Sequence, residues 1–163
     1  MADIKLAYGT AADLACTLNA GLASSSGLTV GRESDAFDNT SGLYIDAEVS
    51  IRVTSGTTPT AGTLEAWAIP RLKASNWPGG ATGANAGLTI VRNQLIVFAK
   101  RIAIWDTDTT SNKAYEVGGV SIAGLFGSMP PQFNVFIVHN MVAALNTTAG
   151  NHFISVQPVY ATG

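Results

Sequence analysis

The sequence predicts an all-β protein, an antiparallel sandwich or barrel. Three observations carry this expectation. Residues 43–54 alternate without a fault: Leu43, Ile45, Ala47, Val49, Ile51 and Val53 share one side, and Tyr44, Asp46, Glu48, Ser50, Arg52 and Thr54 the other. A period of two marks a strand with one buried and one wet face. Residues 133–138, Phe-Asn-Val-Phe-Ile-Val, are apolar at nearly every position, the composition of a strand buried on both faces. Finally, several such runs are separated by short Gly-, Pro-, Ser- and Asn-rich segments, and none calls decisively for a helix.

In chain order, residues 1–30 predict an N-terminal arm or first strand, and residues 31–163 the sandwich domain. Leu14, Leu18 and Leu22 fit a helical stripe behind Thr10, and they fit one face of a strand equally well. The β character of the remainder favours a strand. Ser24-Ser25-Ser26-Gly27 reads as a turn, and residues 32–42 as a long polar loop. Residues 43–54 and 63–69 then form two strands, read together as a hairpin, with Pro70 ending the second. Residues 74–87 are a loop by composition, with Trp77 as its exposed aromatic. Residues 95–105 predict a strand with Lys100 and Arg101 in its middle. Residues 115–122 predict another, and Gly118-Gly119 inside it suggests a bulge. Pro130-Pro131 delays the next strand, because proline lacks the N–H that a ladder needs. Residues 133–139 and 152–160 are read as a terminal hairpin whose first strand sits centrally in a sheet. His139 and His152 would then face each other across it.

Composition narrows the function classes. The chain has 163 residues, enough for one domain with a sizeable core. Its nine basic and eleven acidic residues argue against direct nucleic-acid binding, which needs a basic excess. Charged residues make up only 12%, about half the ~25% typical of soluble domains. Mean hydropathy is +0.24, yet no apolar run approaches a membrane-spanning length, so no membrane partner is expected. A surface with so few charges is either rich in Ser, Thr and Asn or covered by neighbours. The single cysteine, Cys16, excludes an intrachain disulfide. Asp3 and Lys5 make no basic leader, and Asp13 spoils the lipobox-like Leu14-Ala15-Cys16. Synthesis in the cytoplasm is the resulting expectation.

No chemical motif is complete. Two histidines without neighbouring Cys, Asp or Glu do not make a zinc set, so no metal or cofactor is expected. Asp106-Thr107-Asp108-Thr109-Thr110 has some calcium-loop spacing but lacks the Gly and the closing Glu. Gly119-Val120-Ser121-Ile122-Ala123 approximates a nucleophile elbow without its last glycine. Asn39-Thr40-Ser41 and Asn146-Thr147-Thr148 match the glycosylation acceptor pattern. The expectation is a protein that is not an enzyme.

Arg32-Glu33-Ser34, Asp38-Asn39-Thr40, residues 43–49 and residues 61–67 together resemble the first half of a family of small structural proteins of tailed bacteriophages. Residues 129–133 and the closing Gln157-Pro158-Val159-Tyr160 continue the resemblance, which spans roughly residues 10–160. It implies a single antiparallel β-sandwich, jelly-roll-like, that serves as a head decoration, or cement, protein located on the virion surface. Its partners would be the major capsid protein and neighbouring copies of itself, in a homo-oligomer. Within that reading Arg32, Glu33, Asp35 and Asp38 are candidate interface residues, steering at the rim of the contact. The alternatives are a phage tail or baseplate component, and a carbohydrate-binding sandwich that stacks sugars on Trp77.

Overall fold

The computed structural model describes residues 4–162. Two antiparallel sheets lie face to face. The first contains β1 (Lys5–Tyr8), β11 (Phe153–Thr162), β5 (Asp46–Thr54) and β9 (Ala114–Ser121) in that spatial order, with β2 (Ala12–Asp13) also on β11. The second runs β7 (Ala86–Thr89), β3 (Val30–Glu33), β10 (Gln132–His139), β6 (Gly62–Pro70) and β8 (Lys100–Thr107), with β4 (Phe37–Asp38) also on β10. From β5 to β6, and at each step from β8 to β11, the chain switches sheets. That alternation is the crossover habit of a jelly roll. The expected β-sandwich is therefore the observed fold.

The alternating strands supply the first sheet. In β5, Ala47, Val49, Ile51 and Val53 are fully buried and face Ile154 and Val156 of β11 in the central core. The expected strand shortens at its start: Leu43 and Ile45 are exposed and precede β5. The expected Gly118-Gly119 bulge is present, as the β5–β9 register slips between Val49 and Ile51. Gly119 sits there at φ +65°, a conformation costly to any residue with a Cβ.

The doubly buried strands supply the second sheet. Every residue of β10 from Phe133 to His139 is buried, and β10 is central as expected, between β3 and β6. Its outer face is covered by residues 71–99, an excursion between the neighbouring strands β6 and β8. Trp67, Ile69, Phe136 and Val138 of the sheet pack there against Leu88, Ile90 and Leu95, making a second core. Gly31 of β3 lets the strands close up: a Cβ would lie 2.2 Å from the Ile137 carbonyl oxygen.

Three expectations are corrected. Residues 43–54 and 63–69 are not a hairpin, because β5 pairs with β11 and β9 while β6 pairs with β10 and β8. The terminal pair is likewise no hairpin: residues 140–152 arch from one sheet to the other, so His139 and His152 lie in different layers. Residues 95–105 are not one strand. Arg92–Phe98 forms helix α1, and β8 starts at Lys100. Packing decides this: Leu95, Phe98 and Ala99 recur at helical spacing and cover the second core. The second helix, α2 (Ile122–Phe126), links β9 to β10.

Residues 4–30 lie against the sandwich. β1 and β2 run along β11, and Leu18, in a short 3-10 turn, is fully buried in the central core. Residues 1–3 of the expected arm lie outside the described residues.

Candidate interaction surfaces

The polar residues singled out from sequence turn out to be chiefly structural. Arg32 and Glu33 belong to β3 rather than to a loop, and only Asp35 and Asp38 of the proposed rim are exposed. Glu33 is 1% exposed. Its carboxylate accepts from the Thr82 N–H at 3.0 Å, the Thr82 hydroxyl at 2.8 Å, the Gly83 N–H at 3.2 Å and the Asn134 side-chain amide. A buried carboxylate needs such a set of donors. It fixes the covering layer, so it is unavailable for rim steering. Arg32 donates to the Asn85 side chain at 2.8 Å and to the Asn85 carbonyl at 3.1 Å, and Asp35 accepts from the Asn85 N–H at 2.7 Å. Asp38 accepts from the Thr40 hydroxyl and N–H, which hold its carboxyl below the usual range.

Trp77 is half-buried, packed on the second core, with its six-membered ring lying against Gly83. It is not the open aromatic platform that stacking on a sugar would use. Trp67 is buried and donates to Glu65 at 2.9 Å. Trp105 donates to the Glu116 carbonyl at 3.1 Å, joining the edges of the two sheets.

A second buried carboxylate was not foreseen. Glu65 is 1% exposed and takes both guanidinium nitrogens of Arg92, one at 2.6 Å. Burial alone would raise its carboxyl. The hydrogen bonds from Arg92 and Trp67, with the charges of Arg92 and Arg101, outweigh that and hold it below the usual range. Both guanidinium groups also lie 5.6 Å from the Trp67 ring centre, within cation–π reach. A carboxylate in the middle of an apolar strand, with an arginine in the excursion that follows, is the sequence signal for such a clamp.

The motif residues resolve in the same way. Ser121 caps α2, donating to Asp46 and accepting from the Gly124 N–H at 2.8 Å. His139 donates from Nε2 to the Leu22 carbonyl at 2.9 Å, and its Nδ1 faces the Met141 N–H at 3.4 Å. His152 repeats this with the Asn146 carbonyl at 2.8 Å and the Thr54 N–H at 3.2 Å. Both rings are thus committed as neutral imidazoles, and burial lowers the pKa of each. Cys16 is pushed up to about 12 by burial, which suppresses the thiolate. Asp108 pairs with Lys113 and caps Thr110, a self-contained turn whose carboxyl is held down to about 2. Asn39 spends both ends of its side chain on the Tyr44 backbone. Among the described residues no cluster of three or more metal-ligating side chains exists, and no helix is long and apolar enough to cross a membrane.

The surface is distinctive for its apolar side chains. On α1, Ile96 is 57% and Val97 82% exposed, beside a shallow 540 Å³ groove lined by Gly79, Gly80, Asn93, Gln94, Val97 and Phe98. Just before and along β1, Ile4 is 79%, Leu6 66% and Tyr8 57% exposed. Sequence patterning could not separate these from core residues, because exposed and buried apolar side chains look alike in a string. No protein-family model matches the chain, and no curated protein matches it.

Proposed function

We propose that this protein is a virion structural protein, a decoration protein that binds a capsid lattice and stabilises it. The observation that carries the reading is the surface: few charges, with large aliphatic side chains standing out on α1 and on β1. Interface cores are depleted in Lys, Glu and Asp, and contiguous exposed apolar patches mark interaction sites. The buried polar groups support it indirectly, since Glu33, Glu65 and both histidines are spent on holding the fold. The segments that resemble small phage structural proteins supply the kind of partner. Mechanistically, each copy would bridge neighbouring capsid subunits and add buried area, so that pulling the shell apart exposes more apolar surface to water.

The test uses bare heads and purified protein. Heads without the protein should release DNA at lower temperature, and adding it back should restore resistance. Equal release temperatures for bare and coated heads would rule out cementing and leave a tail or baseplate position as the better reading.

A further inference from the structure

Each sheet ends in two edge strands, and an edge presents unpaired N–H and C=O groups that invite another strand. Three of the four edges are guarded. β9 carries the Gly118-Gly119 bulge and has its Glu116 carbonyl taken by Trp105. β8 opens with exposed Lys100 and Arg101 and has a register slip against β6. β7 is as short as β1, but Gly87 interrupts it and it exposes no large apolar side chain. β1 carries no proline, only one charge in Lys5, and no strand on its outer side among the described residues.

The geometry of that free edge is fixed by β11. Gly9 donates to the Pro158 carbonyl at 2.8 Å, in line with the register that places Ala7 opposite Tyr160 and Lys5 opposite Thr162. Backbone groups alternate in direction along an antiparallel strand. Lys5, Ala7 and Gly9 therefore point their N–H and C=O groups at β11, and Ile4, Leu6 and Tyr8 point theirs outward. These same three residues carry the exposed apolar side chains, all on one face of the strand.

We propose that β1 is a homodimerisation edge, pairing antiparallel with β1 of a second copy about a two-fold axis through Leu6. In that register Leu6 faces Leu6, Ile4 faces Tyr8, and Lys5 faces Ala7. Apolar meets apolar throughout, and the single charge meets a methyl group. Shifting the axis to Lys5 would set two ammonium groups directly opposite, which is destabilising. Shifting it to Ala7 would place Ile4 opposite Thr10, beyond the end of β1 at Tyr8. Pairing at Leu6 joins the two first sheets into one continuous sheet and covers the protein's most exposed aliphatic strand. An isologous contact of this kind closes on itself. The free edge is a feature of the fold alone, so the pairing stands whether or not the protein coats a capsid.

Sedimentation of the purified full chain across the micromolar range tests it. Wild type should reach twice the monomer mass as concentration rises. Leu6→Lys and Leu6→Glu should each remain monomeric, since each sets like charges opposite at the axis, and their equimolar mixture should dimerise again. Leu6→Pro should also be monomeric and keep the thermal midpoint of dilute, monomeric wild type, because the N–H it removes points away from β11. A monomeric wild type, dimers that persist in Leu6→Lys, or a mixture that fails to reassemble would each overturn the proposal.

Discussion

Replacing Arg92 with methionine should destabilise the protein more than its position suggests. The substitution keeps an apolar stem over Trp67 and removes the guanidinium. Glu65, 1% exposed, would then keep only the Trp67 N–H and the more distant charge of Arg101. Stranding one partner of a fully buried pair costs about 3–5 kcal/mol. The Arg92 side chain is 33% exposed, so water reaches this site, and we expect roughly 2–3 kcal/mol on that discount. Adding Glu65→Gln should restore part of the loss, giving a coupling of about 1–2 kcal/mol in the double-mutant cycle. The pH dependence is a second signature. In wild type the Glu65 carboxyl is held below its unfolded value, so its stabilisation is present above about pH 4.3 and lost as pH falls through the folded value. In Arg92→Met, burial, the largest single influence, is opposed only by the Trp67 N–H and Arg101, so the carboxyl rises from its wild-type value and acidification relieves the variant. The stability gap should be widest at neutral pH and narrow on approaching pH ~4. Urea denaturation at both pH values measures it. A gap below about 0.5 kcal/mol at neutral pH, the scatter of ordinary surface substitutions, would refute the clamp. So would a gap that is the same at both pH values.

Ile51→Asp should unfold the domain, because it puts an unpaired carboxylate in the central core of a fold holding only ~5–15 kcal/mol; near-native melting would contradict the β5 register. Phe136→Ala should cost about 3–5 kcal/mol, and amides of β10 should be among the slowest to exchange, which hydrogen exchange reads directly. Gly119→Ala should cost roughly 1–2 kcal/mol from its left-handed backbone; an unchanged denaturation midpoint would mean the bulge relaxes. His139 and His152 are held neutral, so their contribution is intact above pH ~6.5 and declines as pH falls below that. His139→Gln should flatten part of that decline in a titration of unfolding free energy.

The sandwich was legible because its two sheets write different patterns. β5 and β11 alternate, since the outer face of their sheet meets water. β6 and β10 are buried almost continuously, since residues 71–99 cover the far side of theirs. That difference also held the information that the hairpin readings missed. Adjacent runs with different periods belong to different layers, so β5 with β6, and β10 with β11, had to be arches. α1 stayed hidden because Leu-Ile-Val-Phe has strand-like composition, and only the second core makes its helical face pay. For the proposed interface, the charged residues near position 35 were conspicuous in sequence, whereas Glu33 proved to be a buried anchor. The exposure of Ile4, Leu6, Tyr8, Ile96 and Val97 had no sequence signal of its own, because it depends on what the chain leaves uncovered.

The two buried carboxylates explain why the covering layer settles in one place. An apolar excursion laid on an apolar sheet could slide with little change in buried area, since the hydrophobic effect is non-directional. Glu33 and Glu65 remove that freedom. Both stand on the outer face of the second sheet, one on β3 and one on β6, on either side of β10. Glu33 is satisfied only when Thr82 and Gly83 lie over it, and Glu65 only when Arg92 does. A displaced layer would leave Glu33 with only the Asn134 amide or Glu65 with only the Trp67 N–H, desolvated at a cost of several kcal/mol per ion. The apolar contacts therefore supply the attraction of the layer, and the carboxylates supply its register. With that register fixed, Ile96 and Val97 are held outward on α1 and their exposure is a property of the folded surface.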